Sequence, residues 1–397
     1  MNEKTRKRLA QGWSKILLMA MALMATSMTA YAQSVPPNPC EDCVTVSGTV
    51  RSCNGTPLPG VTVRIEGQDF GTLRIKVTNA SGFYSSGLLP PDTYVVTPLA
   101  TTGYFFSPQN IVNTGGAANF TRYRRDNRAN FDGDCRTDAS IYNFNHNTGV
   151  WNYLGSSNGL TVSFSFGLTG DILTPGDYNG DGKTDFAVFR PFTTTWYIAT
   201  DTSNSFYGVP FGLSSDLPVA RDYDGDGKTD IAVFRPSTGD WHFLNSGSNN
   251  SYSAVHWGQN GDRPVPGDYD GDNKTDVAVF RPSNSTWYIL RSSDGGVFTL
   301  VLGASSDLPV QADYDGDGLT DIAILNQSTG VWIIRNSSDG SYRTESWGLS
   351  TDQPAPGDYD GDGKVDIAIQ RPSTLTWWIL YSAGGSNTIY FPFDGLA

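Results

Sequence analysis

Histidine is almost missing from this chain: His146, His242 and His256 are the only three among 397 residues. Their spacing suits neither a metal ligand set nor a nucleophile relay, and no Gly-x-Ser-x-Gly elbow occurs, which removes the common hydrolytic constellations. Positive charge is scarce too, with 27 Lys and Arg against 40 Asp and Glu and a formal charge of −13. Residues 1–32 carry five of the positive charges against Glu3, so the rest of the chain stands near −17. Nucleic acid and anionic membrane surfaces are therefore poor partners. Beyond residue 32 no segment repeats its apolar residues with a period near 3.6, which excludes helical bundles and helical solenoids. Long apolar runs are also absent. Ile16–Met24 falls well short of the roughly 20 residues that span a bilayer.

That short run has a different meaning. Lys4, Arg6, Lys7, Arg8 and Lys15 precede it and Ala30-Tyr31-Ala32 follows it, the order of a secretory signal peptide cleaved before Gln33. Residues 1–32 are read as that signal and 33–43 as a linker. The expected location is secreted, cell-surface or periplasmic, with no membrane insertion after cleavage. Export makes disulfides the natural state of Cys40, Cys43, Cys53 and Cys135. Cys40-Glu41-Asp42-Cys43 has the spacing of half a zinc knuckle, but no second pair completes it. A straight strand over 44–51 holds Cys43 and Cys53 roughly 30 Å apart, against the ~7 Å that a disulfide tolerates between Cα atoms. Cys53 then pairs with Cys135 or stays free, and Cys40 with Cys43 is the residual pairing.

From Val44 to Thr121 short β-branched runs alternate with Gly, Pro, Asn and Ser: Val44–Val50, Val61–Ile65, Leu73–Val77, Gly82–Tyr84 and Thr93–Thr97. This punctuation predicts an antiparallel β-sandwich. Ser47-Gly48-Thr49-Val50, Pro57-Leu58-Pro59-Gly60-Val61-Thr62-Val63, Ser81-Gly82-Phe83-Tyr84 and Pro90-Pro91-Asp92-Thr93-Tyr94-Val95-Val96 resemble carboxypeptidase regulatory-like domains. The resemblance implies a transthyretin-like sandwich of about seven strands over 44–121, used as a spacer or accessory module.

The rest of the chain is a repeat. An acidic nonapeptide begins at Asn130, Asp177, Asp222, Asp268, Asp313 and Asp358, at intervals of 47, 45, 46, 45 and 45 residues. That period matches a four-stranded propeller blade of about 40 to 45 residues. Side-chain oxygens fall at positions 1, 3, 5 and 9, and position 7 offers a backbone carbonyl. The candidate ligands are Asn130, Asp132, Asp134, Arg136 and Asp138; Asp177, Asn179, Asp181, Lys183 and Asp185; Asp222, Asp224, Asp226, Lys228 and Asp230. The later copies supply Asp268, Asp270, Asp272, Lys274 and Asp276; Asp313, Asp315, Asp317, Leu319 and Asp321; Asp358, Asp360, Asp362, Lys364 and Asp366. Five such groups plus a water reach the six to eight oxygens that Ca2+ prefers, up to six ions in all. Glycine at position 4 of every copy lets the chain fold tightly around an ion. The closing acid at position 9 and the lack of flanking helices separate this loop from an EF-hand.

Each loop runs into an apolar strand such as Ile231-Ala232-Val233-Phe234, followed by Trp151, Trp196, Trp241, Trp287, Trp332 or Trp377 at one phase and then by an aromatic-Gly pair such as Phe211-Gly212 or Trp257-Gly258. These features resemble the FG-GAP or VCBS-type repeats of bacterial surface proteins, integrin α-subunit heads and certain fungal lectins. The resemblance covers 122–397 and implies a calcium-binding β-propeller, all-β, with six blades preferred and a degenerate seventh still open. Copy 1, with Asn130 and Cys135, departs furthest from the pattern. The in-phase tryptophans are expected in the core, whereas Trp257, Trp347 and Trp378 are the better candidates for a binding surface. The recurring Arg-Pro pairs are expected to bridge to a neighbouring blade. The resulting reading is not an enzyme. It is an exported adhesion or glycan-binding module whose partner is an extracellular glycan or surface protein; a structural surface protein docking another protein, and a polysaccharide-cleaving propeller, are the alternatives.

Overall fold

A computed structural model describes residues 43–53, 55–69, 71–99, 104–108, 110–124 and 129–390. The expected signal peptide and nearly all of the expected linker lie outside the described residues. Among the described residues, nearly all of the sandwich and all of the blades belong to one compact unit. No helix among the described residues is long and apolar enough to cross a membrane, and the one helical segment is a 3-10 turn at Ser246–Ser248.

All five strands predicted for the N-terminal domain form, joined by four more in two sheets. The first sheet runs Phe83–Leu89, Val44–Ser52, Phe120–Arg124, Tyr104–Ser107, with Gly116–Ala117 also against Val44–Ser52. The second runs Leu73–Val77, Thr62–Gly67, Tyr94–Pro98, Ile111–Asn113. Alternation sets the core: Val46 and Val50, Val63 and Ile65, Tyr94 and Val96 are fully buried while their strand neighbours face outward. Burial of each such aliphatic side chain contributes about 1.5–3 kcal/mol. The Tyr84 hydroxyl donates to the Ala118 carbonyl at 2.6 Å. Position 48 must be glycine, because a Cβ there would collide with that same carbonyl.

Cys53 and Cys135 form a disulfide with Cα atoms 5.6 Å apart, so of the two fates open to Cys53 the pairing is realised. Cys43 is disulfide-bonded as well; Cys40 lies outside the described residues.

The repeats form six sheets, one blade per repeat. Blades 2 to 6 each have four antiparallel strands, and blade 1 has three among the described residues, Ala139–Asn145, Thr148–Leu154 and Thr161–Leu168. In blade 3, for example, a two-residue strand Leu217–Pro218 precedes the acidic loop; Ile231–Arg235, Asp240–Asn245 and Ser251–His256 follow it. The apolar strands after the loops are buried on both faces because each is sandwiched between blades. Ala187 and Phe189 of blade 2 pack with Ile231 and Val233 of blade 3. Ala232 and Phe234 pack in turn with Val277 and Val279 of blade 4. The small-large pair points to the next blade and the β-branched pair to the previous one, which explains a strand apolar at every position.

The ring closes at six. The backbone N–H of loop position 8 donates to the position 1 carbonyl of the preceding loop: Thr184 to Asn130, Thr229 to Asp177, Thr275 to Asp222, Thr320 to Asp268, Val365 to Asp313, and finally Thr137 of the first loop to Asp358 of the last, all at 2.6–2.9 Å. Ala139 of blade 1 packs with Ala368, Trp377 and Ile379 of blade 6. These contacts leave no place for a seventh blade. Around the axis the short strands and the residues after them line a cavity of about 350 Å³, with Leu173, Pro218, Pro264, Arg221 and Gln311 among its walls.

Candidate metal centres

Each acidic loop is a cascade of side-chain to backbone hydrogen bonds. In loop 3 the Asp222 carboxylate accepts from Gly225 N–H at 2.7 Å and Gly227 N–H at 2.9 Å. Asp224 accepts from Asp226 N–H at 3.1 Å, and Asp226 from Lys228 N–H at 2.8 Å. Asp230 closes the loop, accepting from Tyr223 and Asp224 N–H at 2.8 and 3.2 Å. The short acidic side chains thus hold the backbone in successive turns, with Gly225 and Gly227 at φ of 83° and 84°. The Tyr223 hydroxyl donates to the Val219 carbonyl at 2.6 Å and pins the loop to the core. Tyr178, Tyr269, Tyr314 and Tyr359 repeat that bond in their own blades.

The result in loops 3 to 6 is a triad of carboxylates from positions 1, 3 and 9. Asp222, Asp224 and Asp230 bring oxygens within 4.8 Å of one another, as do Asp268, Asp270 and Asp276, Asp313, Asp315 and Asp321, and Asp358, Asp360 and Asp366. These triads can hold a metal ion. Position 5 stands apart: Asp226, Asp272, Asp317 and Asp362 accept from the position 7 N–H and from a serine hydroxyl of a later turn. Loops 1 and 2 form no such triad among the described residues. Asn130 and Asn179 replace one carboxylate in each, leaving Asp132 with Asp138 and Asp177 with Asp185. Asp134 accepts from Arg136 N–H and Asp181 from Lys183 N–H, as their counterparts do. Cys135 stands at position 6 with φ of 78°, where four other copies have glycine and one asparagine.

Crowding leaves the clustered acids short of positive charge. Burial, with added repulsion from Asp224, Asp270 or Asp315, pushes Asp230 and Asp276 up to about 6 and Asp321 to about 7. Burial and the charges of Asp360 and Asp358 raise Asp366 to about 7. Asp138, Asp177 and Asp268 rise for the same leading reason, to about 6, 6 and 7. Asp185 goes furthest, to about 8, again mainly by burial.

Two contributions to the loops come from outside the nonapeptide. The first is a serine 16 residues past position 9, whose N–H caps the closing acid: Ser246 on Asp230, Ser292 on Asp276, Ser337 on Asp321 and Ser382 on Asp366, at 2.6–2.8 Å. Ser156 does the same for Asp138 at an offset of 18 residues. Blade 2 has Asp201 at that offset, and Asp185 Oδ1 is left without a partner. The fixed offset was visible in the sequence as a periodic Ser. The second is the position 7 side chain, whose stem crosses the position 4 glycine of the preceding loop: Lys183 over Gly133, Lys228 over Gly180, Lys274 over Gly225, Lys364 over Gly316 and Arg136 over Gly361. Leu319 breaks the series, so loop 4 lacks that cation.

Elsewhere the six in-phase tryptophans are all buried. Five of them donate Nε1–H to a carbonyl at the end of their own outer strand or just after it, as Trp241 does to Trp257 at 2.8 Å. Trp257 and Trp347 are half-buried and donate across to the next blade, to the carbonyls of Tyr288 and Trp378, so they tie blades together. Trp378 is partly exposed with Arg371 over its ring at 4.9 Å. The Arg-Pro arginines do form salt bridges, but each reaches an aspartate of its own blade, because that residue immediately precedes the blade's first strand. Blade 3 brings His242 and His256 onto one sheet face with Asp240; His256 Nδ1 lies 2.8 Å from Asp240 and His242 Nδ1 lies 2.8 Å from the Tyr252 hydroxyl.

Family profiles match this architecture directly. The FG-GAP-like repeat profile covers residues 222–279 and 313–369, the FG-GAP repeat profile 169–205, and the carboxypeptidase regulatory-like domain profile 45–118. The chain carries FG-GAP repeats behind a carboxypeptidase regulatory-like domain. No curated protein matches. Solved structures similar to it include virginiamycin B lyase from Staphylococcus aureus, at 10% identity and a TM-score of 0.42 over 64% of this chain and 82% of that one. A lectin from Agrocybe aegerita that recognises non-reducing terminal N-acetylglucosamine aligns at 12% and 0.43 over 83% and 89%. A protein of unknown function from Bacteroides caccae aligns at 12% and 0.41 over 62% and 90%. These distant likenesses assign neither ligand nor reaction to the present FG-GAP propeller. The repeats and the regulatory-like domain suggest a non-catalytic module, and such repeats are consistent with a binding role.

Proposed function

We propose that this protein is an exported, calcium-loaded propeller that serves as an adhesion or glycan-binding module. The reading rests on the four carboxylate triads. A set of oxygens alone, flexible and multiply charged, suits Ca2+ at extracellular concentrations better than Mg2+, which demands a near-ideal octahedron. Positions 1, 3 and 9 are the main ligands, position 5 and the position 7 carbonyl complete the shell, and loops 1 and 2 are the weaker of six sites. The 22 carboxylates at positions 1, 3, 5 and 9 would then be largely neutralised by the bound ions. Calcium here fixes loops and joins blades; it supplies no reaction step. Residues 1–32 direct export, 44–121 act as an accessory sandwich and 122–397 form the binding ring.

A propeller presents its partner site on hairpin tips and crossovers. At the tip after the buried strand, blades 3 to 6 carry Ser237, Ser283, Ser328 and Ser373, whereas blade 2 carries Phe192, 95% exposed. An aromatic side chain held clear of the surface is suited to stacking on a pyranose ring. A glycan array run with the full mature protein in calcium and again in chelator tests the reading. Calcium-dependent binding to one glycan class that Phe192→Ala weakens is the expected result; a blank array transfers the role to a protein partner.

A further inference from the structure

In four blades the arginine that ends the buried strand grips an aspartate 19 residues earlier. Arg190, Arg235, Arg281 and Arg371 each donate Nε–H to Oδ1 and Nη2–H to Oδ2 of Asp171, Asp216, Asp262 and Asp352, all at 2.8–2.9 Å. Three of these guanidinium groups also lie over a ring, Tyr197 and Tyr288 at 4.4 Å and Trp378 at 4.9 Å. The planar fork meets both carboxylate oxygens at once, which is how a buried aspartate stays satisfied.

Blade 5 keeps the aspartate and lacks the arginine. Asp307 is buried, 4% exposed, and is held as its counterparts are, with the N–H three residues earlier, that of Ala304, donating to Oδ2 at 2.8 Å. Its Oδ1 has no partner. The residue in the arginine's place, Asn326, folds its Oδ1 back onto its own turn, accepting from the Ser328 hydroxyl at 2.7 Å and the Thr329 hydroxyl at 3.0 Å. A carboxylate oxygen buried without a donor is costly to keep, and the guanidinium that blade 4 brings to this turn, that of Arg263, donates to the Asp307 and Ser305 carbonyls at 2.7 and 3.5 Å, not to the carboxylate.

We propose that blade 5 accepts a guanidinium from another molecule, the arginine side chain of a protein segment, in the place that the chain's own arginine fills in blades 2, 3, 4 and 6. The four sister sites define the ligand: Oδ1 takes an Nε–H and Oδ2 an Nη2–H, a pattern that a planar fork fits and an ammonium does not. They also mark the route, since the sister arginines are 20–22% exposed; in blade 5 Oδ1 is covered, so entry requires a piece of the blade to move. The piece that yields on entry is the turn from Asn326 to Gly330, whose Ser328 and Thr329 are exposed. The site lies at the far end of the buried strand from the acidic loops, so it is independent of the metal centres.

The test is a titration of the full mature protein, at fixed calcium, with Nα-acetyl-arginine amide and with the matching lysine amide, followed by calorimetry and by NMR. The expected result is saturable binding of the arginine compound, at least about tenfold tighter than the lysine compound. Asp307→Asn should abolish it. Asn326→Arg should also abolish it by filling the slot from within, and should raise the melting temperature; this variant restores the pattern of four other blades and keeps the test decisive if Asp307→Asn fails to fold. Failure of the wild type to saturate, equal binding of the lysine compound, or unchanged binding in Asn326→Arg would each overturn the proposal.

Discussion

Acid should stabilise the metal-free protein and destabilise the calcium-loaded one, and this reversal is the sharpest consequence of the triads. The closing acids Asp230 and Asp276 sit at about 6, and Asp321 and Asp366 at about 7, against an ordinary aspartate at 3.8. A group whose value is raised on folding holds its proton more tightly in the folded chain, so its contribution to stability is complete below 3.8 and is lost as pH climbs through 6 to 7. Between pH 8 and 5.5 each group near 7 gains about 2 kcal/mol and each group near 6 somewhat under 1 kcal/mol. Coupling between loops lowers the sum, and a few kcal/mol on a ring of this size corresponds to a rise in Tm of roughly 5–10 °C. With calcium bound the sign reverses, because protons and metal compete for the same oxygens. The Arg371–Asp352 pair does not interfere: Arg371 holds Asp352 below its ordinary value, so it titrates beneath this window. His242, lowered by burial, contributes equally to both conditions and cancels in their difference. Calorimetric melts of the mature protein from pH 5.5 to 8, metal-free and in saturating calcium, provide the assay. Parallel slopes in the two series would refute the assignment of the triads as metal sites.

Leu319→Lys restores the cation that every other loop receives from its neighbour and should weaken calcium binding at loop 4 by about two- to fivefold, read by calorimetric titration. Reduction of the Cys53–Cys135 bond, which closes 82 residues, should cost up to about 4 kcal/mol on the chain-entropy account; in reductant Cys135→Gly should melt higher than Cys135→Ser, because glycine accepts the positive φ at that position. Asp201→Ser supplies blade 2 with the hydroxyl that the position 5 acid accepts from in blades 3 to 6 and should raise its calcium-dependent melting temperature, whereas an unchanged melt would mean that the blade 2 turn cannot reach Asp181. Trp287→Ala, which empties a fully buried site, should destabilise the ring by about 3–5 kcal/mol in denaturant titrations.

Much of this molecule was determined by local sequence. The acidic nonapeptide builds its own turns, since each aspartate reaches a backbone N–H two to seven residues away, and no distant residue is needed to specify that geometry. Strand positions were equally legible: β-branched runs between turn residues marked the sandwich strands, Val61–Ile65 among them, and unbroken apolar runs such as Ile231–Phe234 marked strands covered on both faces. What the sequence left open depends on contacts between segments far apart in the chain. The number of blades is one such property, fixed when Thr137 N–H meets the Asp358 carbonyl across 221 residues. The direction of the arginine salt bridges is another, because the partner aspartate could be assigned to its own blade only after the first short strand was placed. The split of the loop acids into a triad and an outlying position 5 is a matter of side-chain placement in the folded loop, onto which the serine turns descend from two strands later. The unanswered Asp307 is visible for the same reason: along the chain Asn326 reads as a single substitution, and only the folded blade shows the carboxylate that its side chain leaves without a partner.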